Sequence, residues 1–234
     1  MTEATEAMEK VSTLEHLPIF PLPLVLLPNE VLPLHIFEDR YRQMLVDIGP
    51  EDGMFGISLF EPDESFIDRP EIGSVGCVAE IKNVQAMPDG RSNLVALGVI
   101  RYRLLSYVDG GKPYLVGDVH YFEDEPAESG LEQLADEVFE VFERIARAAF
   151  KLSSGRGRFP EITKTDPQSF SFLATAAFNF ENSLKYHLLE MTSTAERLER
   201  LREIMSKTVG QMEESAEIYS TSKTNGHSKK KLNI

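Results

Sequence analysis

Between Leu17 and Leu45 the chain intersperses large apolar residues with prolines at 18, 21, 23, 28 and 33, then passes into a helical repeat. Proline lacks an amide hydrogen and fixes φ, so this run fits neither a helix nor a central strand. Its apolar residues still need burial, which predicts a kinked, extended segment at the edge of a sheet, where a foreign chain could dock. Phe37, Tyr41, Met44, Leu45 and Ile48 then recur at helical spacing, and Gly49-Pro50 predicts the stop. Alternating or β-branched runs follow at Met54–Phe60, Ser74–Met87, Leu94–Val108 and Tyr114–Phe122. Pro88-Asp89-Gly90 and Asp109-Gly110-Gly111 separate them with turn chemistry. Strand after strand without helices between them predicts an antiparallel sheet or small barrel.

The period changes after Pro126. Leu131, Leu134, Val138, Phe142, Ile145 and Ala149 mark one stripe of a helix of about five or six turns. Ser129 and Glu132 have the spacing of a capping box, as do Ser193 and Glu196. Asp166-Pro167 reads as a cap followed by proline at the first helical position. Short helices are predicted over Phe170–Phe178 and Leu184–Met191. A final helix carries Leu198, Leu201, Met205, Thr208 and Met212 on one seam. The expected organisation is a flexible leader (1–15), a β-rich subdomain (16–125), a helical-bundle subdomain (126–220) and a disordered tail (221–234). The fold class is α+β.

Composition narrows the function classes. The 234 residues are 42% hydrophobic and 26% charged, as in a soluble globular protein. No apolar run reaches membrane-spanning length, and Met1–Glu15 has no basic start or apolar signal core. A single cysteine, Cys77, excludes an internal disulfide and suits a reducing compartment, so the cytoplasm is expected. The formal charge of −14 disfavours nucleic acid, because phosphate binding needs basic patches. Lysines 223, 229, 230 and 231 gather in the polar tail.

Catalytic chemistry is not legible. No glycine-rich loop ends in Gly-Lys-Ser/Thr to cradle phosphates, and Gly155-Arg156-Gly157-Arg158 reads as a connecting loop. Ser222-Lys223 lies in the tail, which cannot hold a nucleophile against a base. Cys77, weighed with His35 or His120 as a partner, sits among Val75, Val78, Ala79 and Ile81, where burial suppresses the thiolate. The five histidines are scattered, without metal-ligand spacing. No enzyme activity, cofactor or metal is expected. Glu38, Arg40, Arg42, Arg101 and Arg103 flank aromatic residues and are expected to form ion pairs that lock the first helix against the sheet. The alternative is that one arginine faces a groove and meets an acidic or C-terminal group of a peptide.

Five segments in register carry a family resemblance. Phe20–Pro28 with Leu32–Met44, then Gly76–Ile81, Pro88–Arg91, Leu97–Leu104, and finally Tyr186–Met191 with Ala195–Leu201 resemble the N-terminal substrate-recognition domain of Lon proteases. That domain also occurs as a free-standing protein and within cereblon. The likeness runs from about Leu17 to about Met212. It implies a PUA-like antiparallel β pseudo-barrel followed by a C-terminal α-helical bundle, without the ATPase and peptidase of full-length Lon. It further implies weak binding of exposed or unfolded polypeptide segments, with a protease or chaperone as a further partner and an adaptor role in proteolysis. Phe20, Leu22, Leu24, Ile36 and Phe37 are the candidate groove residues. Two other readings are a nucleic-acid-binding protein, by analogy with the RNA binders among other PUA-like folds, and a scaffold that self-associates weakly through the seam of its last helix.

Overall fold

The computed structural model describes residues 3–49, 53–61, 69–126, 130–153 and 158–225. By contacts the chain divides into two units. The first comprises Met1–Pro126 with Phe172–Thr192, and the second comprises Ala127–Ser171 with Ser193–Ile234.

The described residues of the first unit form six strands: β1 (Leu17–Leu22), β2 (Val31–Ile36), β3 (Met54–Leu59), β4 (Val75–Ala86), β5 (Ser92–Tyr107) and β6 (Leu115–Phe122). Their order is β2-β5-β4-β3-β1-β6, and β5 also pairs with β6. Five strands therefore close on themselves as a pseudo-barrel, and β2 is left attached to β5. The 16-residue β5 makes this possible: Ser92–Leu97 pairs with β2 and Arg101–Tyr107 with β6, while β4 runs along the other side. Register shifts between Cys77 and Ala79, and between Leu104 and Ser106, mark the bulges that bend long strands into closure. All pairs are antiparallel except β1 with β3.

The proline-rich segment departs from expectation at β1, which lies between β3 and β6 rather than at an edge. Its ladders explain why. Pro18 pairs with β6 and Pro21 with β3, and the two ladders overlap only at Ile19. Each proline thus has a strand on one flank only, where a residue without an amide hydrogen is tolerated. Only β2, which contains Pro33, is the expected edge.

Helix α1 (Glu3–Val11) replaces the expected flexible leader. Ala7 and Val11 lie one turn apart, and both are buried with Leu17, Ile19, Val78, Ile100 and Tyr102. Lys10 also reaches Glu80 on β4, at 3.0 Å. Helix α2 (Asp39–Ile48) sets Tyr41, Met44 and Leu45 into the main core with Phe20, Phe55, Cys77, Ala79 and Ile81. It ends at Gly49, whose φ of 85° suits glycine. In the barrel wall, a Cβ at Gly76 would lie 2.5 Å from the Tyr102 ring. Glycine there lets the buried tyrosine cross the strand and meet Ser58 Oγ at 2.7 Å.

The second unit pairs α3 (Leu131–Leu152) with α6 (Thr194–Asn225). Ser193 caps α6 through its Oγ, which accepts the Glu196 amide at 3.2 Å. Asp166 likewise caps α4 (Pro167–Ala177), accepting the Ser169 amide at 3.0 Å. The expected cap at Ser129 lies outside the described residues. Two seam positions shift. Ala148 is buried in place of Ala149, and Val209 in place of Thr208, whose hydroxyl instead donates to the Ile204 carbonyl. A β-branched hydrocarbon needs no partner in a helix seam, whereas threonine does.

Two expected boundaries are corrected. Helix α6 continues to Asn225, past the point at which a disordered tail was expected to begin. The segment Phe172–Thr192, with α5 (Asn182–Glu190), belongs to the β-rich unit rather than to the bundle. Its apolar residues decide this: Phe172 and Leu189 are buried with Val25, Leu27 and Val75. The Val75 amide also donates to the Tyr186 hydroxyl at 2.9 Å.

Candidate functional site

The strand β2 carries two alternating rows. Leu32, Leu34 and Ile36 face the main core. Val31, Pro33 and His35 point outward, and Phe37 continues that row past the strand end. Val31 is 61% and Phe37 60% exposed, and Val95, opposite Pro33 on β5, is also exposed. His35 Nδ1 lies 2.7 Å from Asn93 Oδ1, and its ring stacks over Phe37 at 6.1 Å. These contacts orient an apolar strip along a strand that, among the described residues, pairs with β5 alone. Its free backbone edge and outward side chains together form a surface on which an extended chain can add as a strand.

Of the five groove candidates, the structure brings only Phe37 to this surface. Phe20 and Ile36 are core residues, and Phe20 packs against the Tyr41 ring at 3.9 Å. Leu22 and Leu24 are half-buried against the same cluster. Val31, Pro33 and Val95 were not anticipated. For Val31 and Pro33 the signal was the strict alternation of β2, in which the row containing Leu32, Leu34 and Ile36 must face inward; Val95 follows only from its pairing with Pro33.

The charged candidates separate into two kinds. Arg40 and Glu38 form an exposed pair at 2.8 Å, and Arg42 bonds Asp39 at 2.8 Å. Both pairs are local to the start of α2 and do not tie it to the sheet. Arg103 donates to the Gly73 carbonyl at 2.8 Å. Arg101 is almost wholly buried and carries the strongest set of contacts. It pairs with Asp124 and donates to the carbonyls of Leu189 at 3.0 Å and Met191 at 2.6 Å. Its guanidinium also lies 4.5 Å from the Phe122 ring centre. It therefore fastens the end of α5 to the barrel within the first unit, and its partner Asp124 was not foreseen. A planar guanidinium suits this task because it serves several oxygens at once.

Electrostatics elsewhere in the unit are structural. Burial works against ionisation of Glu80, but Lys82 and Lys10 outweigh it and hold the carboxyl below its usual range. Hydrogen bonds from Lys112, Tyr114 and Gln43 lower Asp47 to about 2. Burial pushes the Cys77 thiol upward, away from thiolate chemistry. Among the described residues no three His, Cys, Asp or Glu side chains converge as a metal site. No helix among them is long and apolar enough to cross a membrane.

A second concavity, of about 540 Å³, lies where the inner face of the β4–β5 hairpin extends past α2. Leu45, Val46, Val84 and Ala86 give it apolar walls, and Asp39, Arg42, Gln43 and Ser92 give it polar ones.

Similarity to known proteins agrees with this architecture. The Lon protease of Heliobacterium modesticaldum is 24% identical over 209 residues, covering 85% of this chain and 25% of that protein. The Lon protease of Cytophaga hutchinsonii is 25% identical over 227 residues, covering 93% and 27%. The chain thus spans about a quarter of the length of these curated relatives. Among solved structures, the N-terminal domain of Mycobacterium avium complex Lon protease superposes with a TM-score of 0.61 at 22% identity, covering 82% of this chain and 98% of that one. The Lon N-terminal domain protein from Xanthomonas campestris gives 0.56 at 24% identity, covering 80% and 97%. A profile of the ATP-dependent protease La (LON) substrate-binding domain matches residues 16–207, and the chain belongs to that family.

Proposed function

We propose that the chain is a recognition module that binds exposed, extended polypeptide segments weakly and takes no chemical part in unfolding or cutting them. The observation that carries this reading is the open edge of β2 with its outward apolar row. Backbone bonds to a free strand edge are indifferent to sequence, and a shallow apolar strip adds modest selectivity. Affinity in the micromolar range or weaker, about −8 kcal/mol or less in magnitude, fits such a site. Charge supports a protein ligand over nucleic acid: the first unit carries 24 acidic against 10 basic side chains. Delivery of the bound segment to a protease, as an adaptor, completes the proposal and rests on the family relationship.

Anisotropy titration of a labelled, permanently unfolded casein-like protein tests it. Saturable binding that falls at least tenfold in Val31→Lys and Phe37→Lys is expected. Both positions are exposed, so these variants keep the core intact. No binding at high concentration overturns the function, and binding indifferent to both variants overturns the site.

A further inference from the structure

The cleft between α2 and the β4–β5 turn holds a cation whose hydrogen bonds are only partly used. Arg42 Nη1 donates to Asp39 Oδ1 at 2.8 Å, an exposed pair of the loosely held kind. Its other guanidinium nitrogens have no partner among the described residues. Glycine at position 90 accounts for this placement. A Cβ there would meet the far end of the Arg42 side chain, so glycine leaves the guanidinium room to lie across the turn. Gly90 has a φ of 82°, a conformation that glycine adopts without strain. Beside the guanidinium stand Val46, which is 74% exposed, with Val84 and Ala86.

The local charge is also distinct. Although the first unit is strongly acidic, residues 38–47 and 82–92 contain four acidic and four basic side chains. An anion entering here meets balanced charge, with Asp39 beside Arg42, rather than the net acidic charge of the rest of the unit. An apolar wall next to a guanidinium with donors to spare matches an apolar side chain next to a carboxylate, and a polypeptide presents these two groups together at its C-terminal residue.

We propose that this cleft seats the C-terminal residue of a bound polypeptide, with its carboxylate on Arg42 and its apolar side chain against Val46, Val84 and Ala86. The inference rests on the polypeptide-binding reading and adds the end of the chain as a recognised feature.

Three fluorescent peptides of one sequence ending in leucine test it: one with a free carboxylate, one amidated, and one amidated with an internal glutamate. The free acid is expected to bind about tenfold tighter than the amide. Arg42→Gln should remove that difference while keeping the amide's affinity, and Val46→Glu should weaken binding of all three. Equal binding of acid and amide overturns the proposal, as does a difference that survives Arg42→Gln. An internal glutamate that matches the free terminus overturns it too, because the cleft would then read any carboxylate. If the peptides fail while an unfolded protein still binds, this inference falls and the recognition function stands. If the unfolded protein also fails, the function itself falls.

Discussion

Replacing Arg101 by methionine should be among the most damaging single changes in the β-rich unit. The substitution leaves the Asp124 carboxylate buried with its cation gone, and it strips a donor from the carbonyls of Leu189 and Met191. Breaking a buried pair from one side costs about 3–5 kcal/mol, because the remaining charge loses its counter-ion. Taking about 4 kcal/mol and about 3 °C per kcal/mol for a chain of this size, the melting temperature should fall by about 12 °C. Asp124→Asn should cost less, since the Arg101 guanidinium it deprives of a counter-ion still donates to the Leu189 and Met191 carbonyls. The double variant Arg101→Met with Asp124→Leu should recover much of the loss, because an apolar pair carries no desolvation penalty. Urea denaturation followed by tyrosine fluorescence is a suitable assay. The chain has no tryptophan, and six of its seven tyrosines lie in the first unit. A loss below about 1 kcal/mol for Arg101→Met, or a double variant no more stable than Arg101→Met alone, would refute the clamp.

Three further outcomes are expected. Asp47 has a folded pKa of about 2, below its unfolded value near 3.8, so its contribution is present above pH 4 and lost as pH falls through 2. Asp47→Asn should therefore lower the urea midpoint at pH 7 and leave it unchanged near pH 1.5, as a pH series of denaturation curves would show. Cys77 is buried, and its thiol is pushed upward, so an uncharged thiol reagent at pH 8 should label it only as fast as the protein unfolds; rapid labelling of the folded chain contradicts this. Gly76→Ala should destabilise by about 2–3 kcal/mol, since the new methyl group meets both the Tyr102 ring and the Ile57 carbonyl. Calorimetry showing an unchanged melting temperature would remove the packing argument.

What the sequence disclosed follows the range of each interaction. The β4–β5 hairpin was legible because its cues are local. Alternation fixes the strands, Pro88-Asp89-Gly90 turns the chain, and the Met87 amide duly donates to the Arg91 carbonyl. The caps at Asp166 and Ser193 were readable for the same reason. The position of β1 was not, since its neighbours β3 and β6 are distant in sequence and proline content alone suggested an edge. Similarly, hydrophobicity marked Phe20 and Ile36 for contact with a ligand, but an apolar residue fits a core as well as a groove. The parity of β2 separates Phe37 and Val31 from Ile36. The helicity of α1 was not legible either, since the Ala7–Val11 spacing that buries it stands among polar residues. Asp124 sits in an acidic stretch, Glu123-Asp124-Glu125, and nothing local distinguishes the residue that Arg101 selects.

The β-rich unit borrows Phe172–Thr192 from far downstream, which bears on how the protein is made. A ribosome that has released residues 1–126 has supplied every strand, yet Phe172, Tyr186 and Leu189 are still to come. Until they emerge, Val25, Leu27 and Val75 stay uncovered and the Arg101 guanidinium lacks two of its carbonyl acceptors. The nascent barrel must wait for about 65 more residues, three to thirteen seconds at the usual pace of translation, with an unfinished apolar face that a chaperone could hold.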